Sequence, residues 1–380
     1  MCFTDEKSTK SGKYITKSKV ILHDYFEYPD GGGRLTLFLS KILNAPIGYG
    51  FKKHNHPFFA DEYKNIKDFN LNSYAAFPVI KQLSLIKAFL LKTKFLQKYD
   101  IVFYSGAYAP LSIKNHSTGF NIYYCHTPPR FIYDQKKLFL LQQPFWLKPF
   151  MKFFLFFYKK YYASCISKMD VVLTNSINVQ KRIKQYLGME SVVVYPPCDT
   201  SRFVWLGQKD YYLSTARLDS LKRIDIIVEA FLKMPDKKLV IISNGSLKKK
   251  ILQLIGNAKH IIFMNQVSDS QLLDLIGYCI ATIYIPINED FGMSPIESMS
   301  AGKPVIGVAE GGLTESIIHN KTGFLLNPDF TVKDLISFVM EMDTAKALHM
   351  RNDCEIRAKR FDINTFKQNI HTIIKKYNLS

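Results

Sequence analysis

With 380 residues the chain is long for one domain and comfortable for two, and 47% hydrophobic residues provide for sizeable cores. Six cysteines are scattered without a CxxC pair, which argues for a reducing compartment and against a structural zinc. The formal charge of +19 is concentrated in residues 1–200, which carry +15 against +4 for the rest. With no helix-turn-helix, zinc-finger or RRM signature, that charge points to anionic lipid or a phosphorylated substrate rather than nucleic acid.

Residues 1–18 are polar and basic without an apolar stretch, which predicts a flexible tail and no secretory signal. Lys19–His23 reads as a strand, followed by a glycine loop, Asp30-Gly31-Gly32-Gly33-Arg34, and helical periodicity from Leu35. Strand, glycine loop and helix form a geometry in which backbone N–H groups can approach a phosphate or substrate, although the spacing is neither GxGxxG nor Walker A. Lys81–Tyr99 and Leu138–Tyr162 read as helices dense in lysines and apolar or aromatic residues. Each is either a core helix with snorkelling lysines or a segment docked on a membrane surface. Neither has the roughly 18–20 uninterrupted apolar residues that spanning requires.

Asp100–Gly106 predicts a strand and turn, and Asn121–Cys125 a strand that ends in the rigid loop His126-Thr127-Pro128-Pro129-Arg130. A lone histidine there is either structural or faces a substrate. Met169–Ser176 is a strand into a turn, Val179–Leu187 a helix closed by Gly188, and Val192–Tyr195 a strand stopped by Pro196-Pro197. A linker falls near residues 199–209.

Tyr211–Thr215 opens a second set of strands and helices. Arg217 and Lys222 stand in its first loop, where an Arg fork and a Lys point charge can converge on one anion, or remain a solvated basic turn. A helix follows over Ile226–Met234, then a strand at Leu239–Ser243 and the turn Asn244-Gly245-Ser246. Ile261–Met264 is a strand leading into Asn265-Gln266-Val267, and Ser268 caps the next helix. The apolar run 280–285 reads as a buried strand, followed by a loop with Glu289, Asp290 and Gly292. Ser294-Pro295-Ile296-Glu297 has the pattern of a capping box with Ser294 at N-cap, and Glu297 is either that cap or a ligand for something in the loop. Val305–Val308 and Gly311-Gly312 complete the unit, and residues 331–379 are helical.

Several of these stretches resemble one family. Glu289 and Glu297 with seven residues between them, the Phe291-Gly292 step and Ser298–Val305 resemble the donor-site signature of retaining glycosyltransferases of family 4. Tyr124–Arg130, with Asp134, resembles the YCHTP-type motif of bacterial members, many of them mannosyltransferases of surface-polysaccharide assembly. Arg217-x4-Lys222 resembles the family's diphosphate clamp, and Val192–Asp199 the end of its first domain; Asn244-Gly245-Ser246 departs from the usual Gly-Asp-Gly.

The resemblance implies an α/β protein of GT-B architecture, two Rossmann-like domains facing across a cleft. Its expected parts are a tail (1–18), an acceptor domain (19–200), a donor-nucleotide domain (201–355) and a final segment (356–380) that crosses back. It also implies roles. His126 and Glu289 face the transferred sugar, and Arg217, Lys222, Gly292, Met293 and Ser294 hold the donor diphosphate. Glu297 binds the donor ribose, Asn265, Gln266 and Val267 line the nucleobase, and Gly32, Gly33, Arg34 and Arg130 form the cleft loops. The donor is a nucleotide-diphosphate sugar, GDP-mannose ahead of UDP- or dTDP-sugars, used as a substrate without a cofactor. No Asp-x-Asp motif occurs, so no metal is expected. The expected acceptor is a saccharide or lipid-linked saccharide. The expected location is the cytoplasm, peripheral on the inner face of an anionic membrane. A GT-B epimerase, which needs no acceptor, and a non-catalytic nucleotide-sugar or membrane-binding module are the rival readings.

Overall fold

The computed structural model of the protein describes residues 17–59, 63–75 and 77–379. Short apolar runs ended by turn residues form two parallel sheets. The first contains β1 (Lys19–His23), β2 (Ile47–Tyr49), β3 (Asp68–Asn70), β4 (Ile101–Ser105), β5 (Phe120–Cys125), β6 (Val171–Thr174) and β7 (Val192–Val193), in the order β3-β2-β1-β4-β5-β6-β7. The second contains β8 (Tyr212–Ser214), β9 (Leu239–Ile242), β10 (Ile261–Met264), β11 (Thr282–Ile283), β12 (Val305–Val308) and β13 (Gly323–Leu326), in the order β10-β9-β8-β11-β12-β13. Parallel strands need a covering layer on both faces. Accordingly β4, β6, β8, β9 and β12 are buried throughout, and the edge strands β3, β7 and β10 are the most open. These are two Rossmann-like domains.

The helices of the first domain are α1 (Gly31–Leu43), α2 (Pro78–Leu91), α3 (Lys136–Leu141), α4 (Lys148–Ile166) and α5 (Ile177–Leu187). The second carries α6 (Ile224–Leu232), α7 (Lys248–Ile255), α8 (Asp269–Tyr278), α9 (Met293–Ser300), α10 (Leu313–Ser316), α11 (Val332–Glu341) and α12 (Thr344–Lys359), and α13 (Ile363–Lys376) ends the chain. Leu85 and Phe89 of α2 join Leu155 and Tyr158 of α4 in one core on the first sheet. Leu35 and Phe38 of α1 join Phe366 and Ile370 of α13 in another. The last helix therefore belongs to the first domain. The second domain has a single large core that extends to Ala358 of α12.

Three sequence expectations change. Of the expected tail, residues 1–16 lie outside the described residues, whereas Ser18 is fixed by donating its N–H and hydroxyl to Asp100, each at 2.7 Å. The final segment begins at residue 363 rather than 356, because Ala347, Met350, Cys354 and Ala358 keep α12 on the second domain. The glycine triplet is not a loop. Asp30 accepts the Gly33 N–H at 2.7 Å and starts α1 at Gly31 itself.

The two chain crossings lie side by side. Cys198 N–H donates to the Phe361 carbonyl at 2.9 Å, and Ile363 N–H donates to the Cys198 carbonyl at 3.0 Å. Lys303, from the stretch that resembles the donor signature, is fully buried and donates to the Gly207 carbonyl, so it anchors the linker rather than a ligand. Phe366 of α13 is fully buried, 1% exposed, against the first-domain core. Phe366→Ala should therefore destabilise the first domain by about 3–5 kcal/mol in urea unfolding. A change under about 1 kcal/mol would show that α13 is not part of that core.

Candidate active site

Each sheet reverses its strand order once, at β1/β4 in the first domain and at β8/β11 in the second. In open α/β sheets ligands bind outside the carboxyl ends of the strands at such a reversal. Both reversals open toward the cleft between the domains, and the chemistry-bearing residues gather there.

At the second-domain reversal, the 3-10 turn Ser220–Lys222 after β8 meets the loop after β11. Ile287 N–H donates to the Leu221 carbonyl at 2.7 Å, fastening one loop to the other. Lys222 Nζ reaches Glu289 Oε2 at 2.5 Å and Tyr284 Oη at 2.9 Å. The loop then turns into α9 through Gly292, whose φ of +88° favours glycine. The close approach of Gly311 fixes the loop from beneath, since a Cβ there would stand 2.4 Å from the Glu289 carbonyl.

The expected capping box does not form. Gly292 is the N-cap and no side chain caps α9, so the helix starts earlier than Ser294 and Glu297 lies in its second turn. The loop dictates this start, because its backbone is held at Glu289 by Gly312 N–H (2.9 Å) and at Asp290 by Ser176 Oγ (2.6 Å). By helix geometry the N–H groups of Met293 and Ser294 have no partner within α9. Glu297 is freed for another task. It lines a cleft of about 800 Å³ together with Met293, Val267 and Leu272 of the second domain and Arg34, Phe38 and Phe58 of the first. Withdrawal from water raises its pKa, opposed by the positive charges of Arg34 and Arg202.

At the first-domain reversal, His126 follows β5 and abuts the first turn of α1. Its Nε2 lies 2.9 Å from Ser105 Oγ, which is 2.8 Å from Thr36 Oγ1 and 3.1 Å from His23 Nδ1. A Cβ on Gly32 would lie 3.5 Å from His126 Nε2, so only a small residue leaves the ring and the helix start this close. Burial lowers the pKa of His126 and of His23 to about 4, and both rings are neutral near pH 7. His126 is thus a hydrogen-bonding group and not a cation.

Arg182 joins the domains. It projects from α5, buried, and donates to Asn288 Oδ1 at 2.7 Å, the Asn288 carbonyl at 2.9 Å and Thr127 Oγ1 at 3.1 Å, and it also pairs with the Asp290 carboxylate. Arg130 pairs with Asp134 at 2.8 Å and reaches the same Asn288 carbonyl at 3.4 Å. Glu315 of α10 accepts the N–H groups of Ile177 and Asn178, each at 2.7 Å, and so covers the start of α5 from the opposite domain. Asn178 in turn donates to the Glu289 carbonyl at 2.9 Å.

The structure brings Lys222, Glu289, Gly292, Met293, Ser294 and Glu297 to one end of the second sheet, with Arg34, Gly32 and His126 on the facing wall. Others stand apart. Arg217 is 74% exposed, with Asp219 at 3.9 Å as its nearest acid. Asn265 and Gln266 are exposed, whereas Val267, the third residue of that expected group, lines the cleft with Ser268 and Leu272. Arg130 serves the domain junction. Arg182, Asn288 and Glu315 were not singled out from the sequence. One signal for Arg182 was present: with Val179 and Ile183 it falls at helical spacing on the buried face of α5.

Two Rossmann-like domains with carboxylates, a lysine and a helix start converging on the cleft have the GT-B architecture. Residues 200–361 match the family described as Glycosyl transferases group 1. The chain is 24% identical over 330 residues to the Alpha-1,3/1,6-mannosyltransferase ALG2 of Dictyostelium discoideum, covering 74% of this chain and 76% of that protein. It is 23% identical over 295 residues to the GDP-Man:Man(3)GlcNAc(2)-PP-Dol alpha-1,2-mannosyltransferase of Homo sapiens, covering 70% of this chain and 57% of that one. Anabaena Alr3699/HepE in complex with UDP-glucose shares the fold, with a TM-score of 0.73 at 17% identity over 94% of this chain and 99% of its own. The protein is a glycosyltransferase that resembles mannosyltransferases.

Two outcomes test this geometry. Arg182→Ala leaves the Asp290 carboxylate without its partner, and should cost about 3–5 kcal/mol in urea unfolding, much of it recovered on adding Asp290→Ala. Additive losses would contradict the clamp. The folded histidines at 23 and 126 resist protonation, so unfolded chains take up more protons between pH 6.5 and 4. The histidine contribution to stability should be full above pH 6.5 and be lost as pH drops toward 4, while Asp24, raised to about 6 by burial, contributes in the opposite sense, so the difference between wild type and His23→Gln across a melting series isolates the histidine part.

Proposed function

We propose that the protein transfers mannose from GDP-mannose to a lipid-linked saccharide, with retention of configuration and without a metal ion. The observation that carries this reading is the convergence of Lys222, Glu289 and the open start of α9 at the β8/β11 reversal, with Glu297 on the same helix facing the cleft. Mannose and a lipid-linked acceptor are supported by the mannosyltransferase relatives, one of whose names includes GDP-Man and PP-Dol.

The chemistry follows from charge. Departure of the nucleoside diphosphate concentrates negative charge on its phosphates. The N–H groups of Met293 and Ser294 are oriented before the reaction and stabilise that charge without reorganisation. Lys222 is bound to Glu289, and a diphosphate beside it exchanges one anion for another on the same ammonium. Glu289 then accepts hydroxyls of the transferred sugar. Arg217, exposed as it stands, adds a second cation by turning inward. Glu297 accepts the two ribose hydroxyls, an arrangement that needs an ionised carboxylate, and the positive charges of Arg34 and Arg202 favour that form. Neutral His126 bonds the sugar from the first domain. For retention we favour attack from the leaving-group face, with a donor phosphate oxygen taking the acceptor's proton. Surface-glycan assembly on the cytoplasmic side of a membrane is the setting that fits such an acceptor.

A thermal-shift panel of GDP, UDP, dTDP and ADP tests the donor. Saturation at about 100 times Kd adds roughly 2.7 kcal/mol, and GDP should give the largest shift. Conversion of the nucleotide sugar without an acceptor would replace this reading by an epimerase.

Substitutions test the site. Glu297→Gln should lower transfer at least about tenfold, roughly 1.4 kcal/mol, with little change in melting temperature, because no cap is lost. Lys222→Ala should weaken diphosphate binding by about 1.5–3 kcal/mol and leave nucleoside binding nearly intact. Equal loss for both ligands would remove Lys222 from the phosphates.

A further inference from the structure

From Gln135 to Met169 the chain has seven lysines and no acidic residue. This segment folds into α3, a 3-10 turn at Phe145–Leu147 and α4. The inner stripe of α4, Met151, Leu155, Tyr158 and Tyr162, is fully buried and supplies what the domain core requires. The outer surface of a helix on a soluble domain is normally polar. Here it carries Phe150, Phe153, Phe156 and Phe157, all at least half exposed, and the preceding turn exposes Phe145 (83%) and Trp146 (68%). Phe153 and Phe157 pack ring to ring at 4.5 Å, and Lys160 Nζ stands 4.4 Å over Phe156. These rings form a continuous apolar surface interleaved with ammonium groups.

A second exposed surface lies on the same side of the first sheet. Helix α2 shares its core with α4, and its outer face shows Ile80, Leu83 and Leu91 after an exposed Phe77. Residues 77–99 contain five lysines and again no acidic residue.

We infer that the phenylalanine-rich outer face of α4, with the turn that precedes it, docks the protein on an anionic lipid bilayer. Charge selects the occupant. Aromatic side chains with lysines at the margins match the boundary between headgroups and acyl chains, where rings enter the apolar layer and ammonium groups meet phosphates. A tryptophan at the leading edge fits the same boundary. A second copy of this chain is disfavoured, since a two-fold contact would press one cluster of lysines against another without a carboxylate between them. Among the described residues no helix is long and apolar enough to cross a membrane, so the contact is interfacial in depth. Docking of this kind deepens the reading of a membrane-borne acceptor, on which its purpose rests, and it also accounts for the charge excess of the first domain.

Vesicles lacking both donor and acceptor separate docking from catalysis. Trp205→Phe leaves Trp146 as the sole tryptophan. In that variant, phosphatidylcholine–phosphatidylglycerol vesicles at low salt should sediment the protein, shift Trp146 emission to the blue and quench it when the acyl chains are brominated. Binding should decline as salt rises. Phe145→Ser combined with Trp146→Ser should reduce partitioning at least about tenfold, and Lys152→Glu with Lys160→Glu should do the same, without loss of melting temperature. The inference is overturned if the protein ignores anionic vesicles, if it binds pure phosphatidylcholine equally well, or if the surface variants bind unchanged. It is also overturned if the Phe145 and Trp146 changes abolish a dimer rather than vesicle binding. Transfer to a soluble acceptor analogue, measured separately, reports on the catalytic reading whatever the vesicles show.

Discussion

A single buried guanidinium organises the cleft. Arg182 leaves the first domain on α5 and ends among groups of the second-domain loop, Asn288 and Asp290, while also holding Thr127 beside His126. Planar fork geometry allows one arginine to serve a carboxylate, an amide oxygen, a carbonyl and a hydroxyl together. A charge this deep is tolerated only when it is fully bonded, so the loop cannot drift without exposing an expensive vacancy. The position of Asp290 in turn sets where Gly292 begins α9. The donor end of the second domain is therefore assembled partly by the first.

That coupling shapes the electrostatics of the site. Lys222 and Glu289 neutralise each other, and Tyr284 bonds the same ammonium, so the cation is retained near the helix start at little cost. On the proposed reading a diphosphate exchanges partners on groups already in place, which is how preorganised sites avoid reorganisation during reaction. Across the cleft, Ser105 and Thr36 connect the rings of His126 and His23, and burial keeps both neutral. The second-domain wall carries Lys222 and its carboxylates, and the first-domain wall sets neutral rings and hydroxyls beside the single cation Arg34. Asymmetry of this type suits a donor with an anionic leaving group and an uncharged sugar.

Much of the fold was legible because parallel strands are short apolar runs, and β1, β4, β5, β9 and β12 stand out as such between turn residues. The edge strands were not: β3, over Asp68–Asn70, has a polar residue at either end and is specified by its pairing to β2. Glu289, Lys222 and Glu297 were found as a pattern of spacing, yet the role of Glu297 was ambiguous, since Ser294-Pro295-Ile296-Glu297 is also a good helix start. Tertiary restraint on the loop removed the capping alternative by moving the cap to Gly292. Arg182, Glu315 and Asn178 were missed because their partners in the other domain lie more than a hundred positions away, and no local rule registers such a contact. The phenylalanines of α4 were visible from composition, but only the fold showed that Met151, Leu155, Tyr158 and Tyr162 already fill the core and leave the others outside.

The central claim is that α9 and Lys222 receive the donor diphosphate while Glu297 receives the ribose. A crystal structure with bound GDP tests it most directly. The account predicts phosphate oxygens within hydrogen-bonding distance of the Met293 and Ser294 N–H groups and of Lys222 Nζ, with both ribose hydroxyls on the Glu297 carboxylate. A diphosphate seated away from the start of α9, or a ribose with no contact to Glu297, would contradict it.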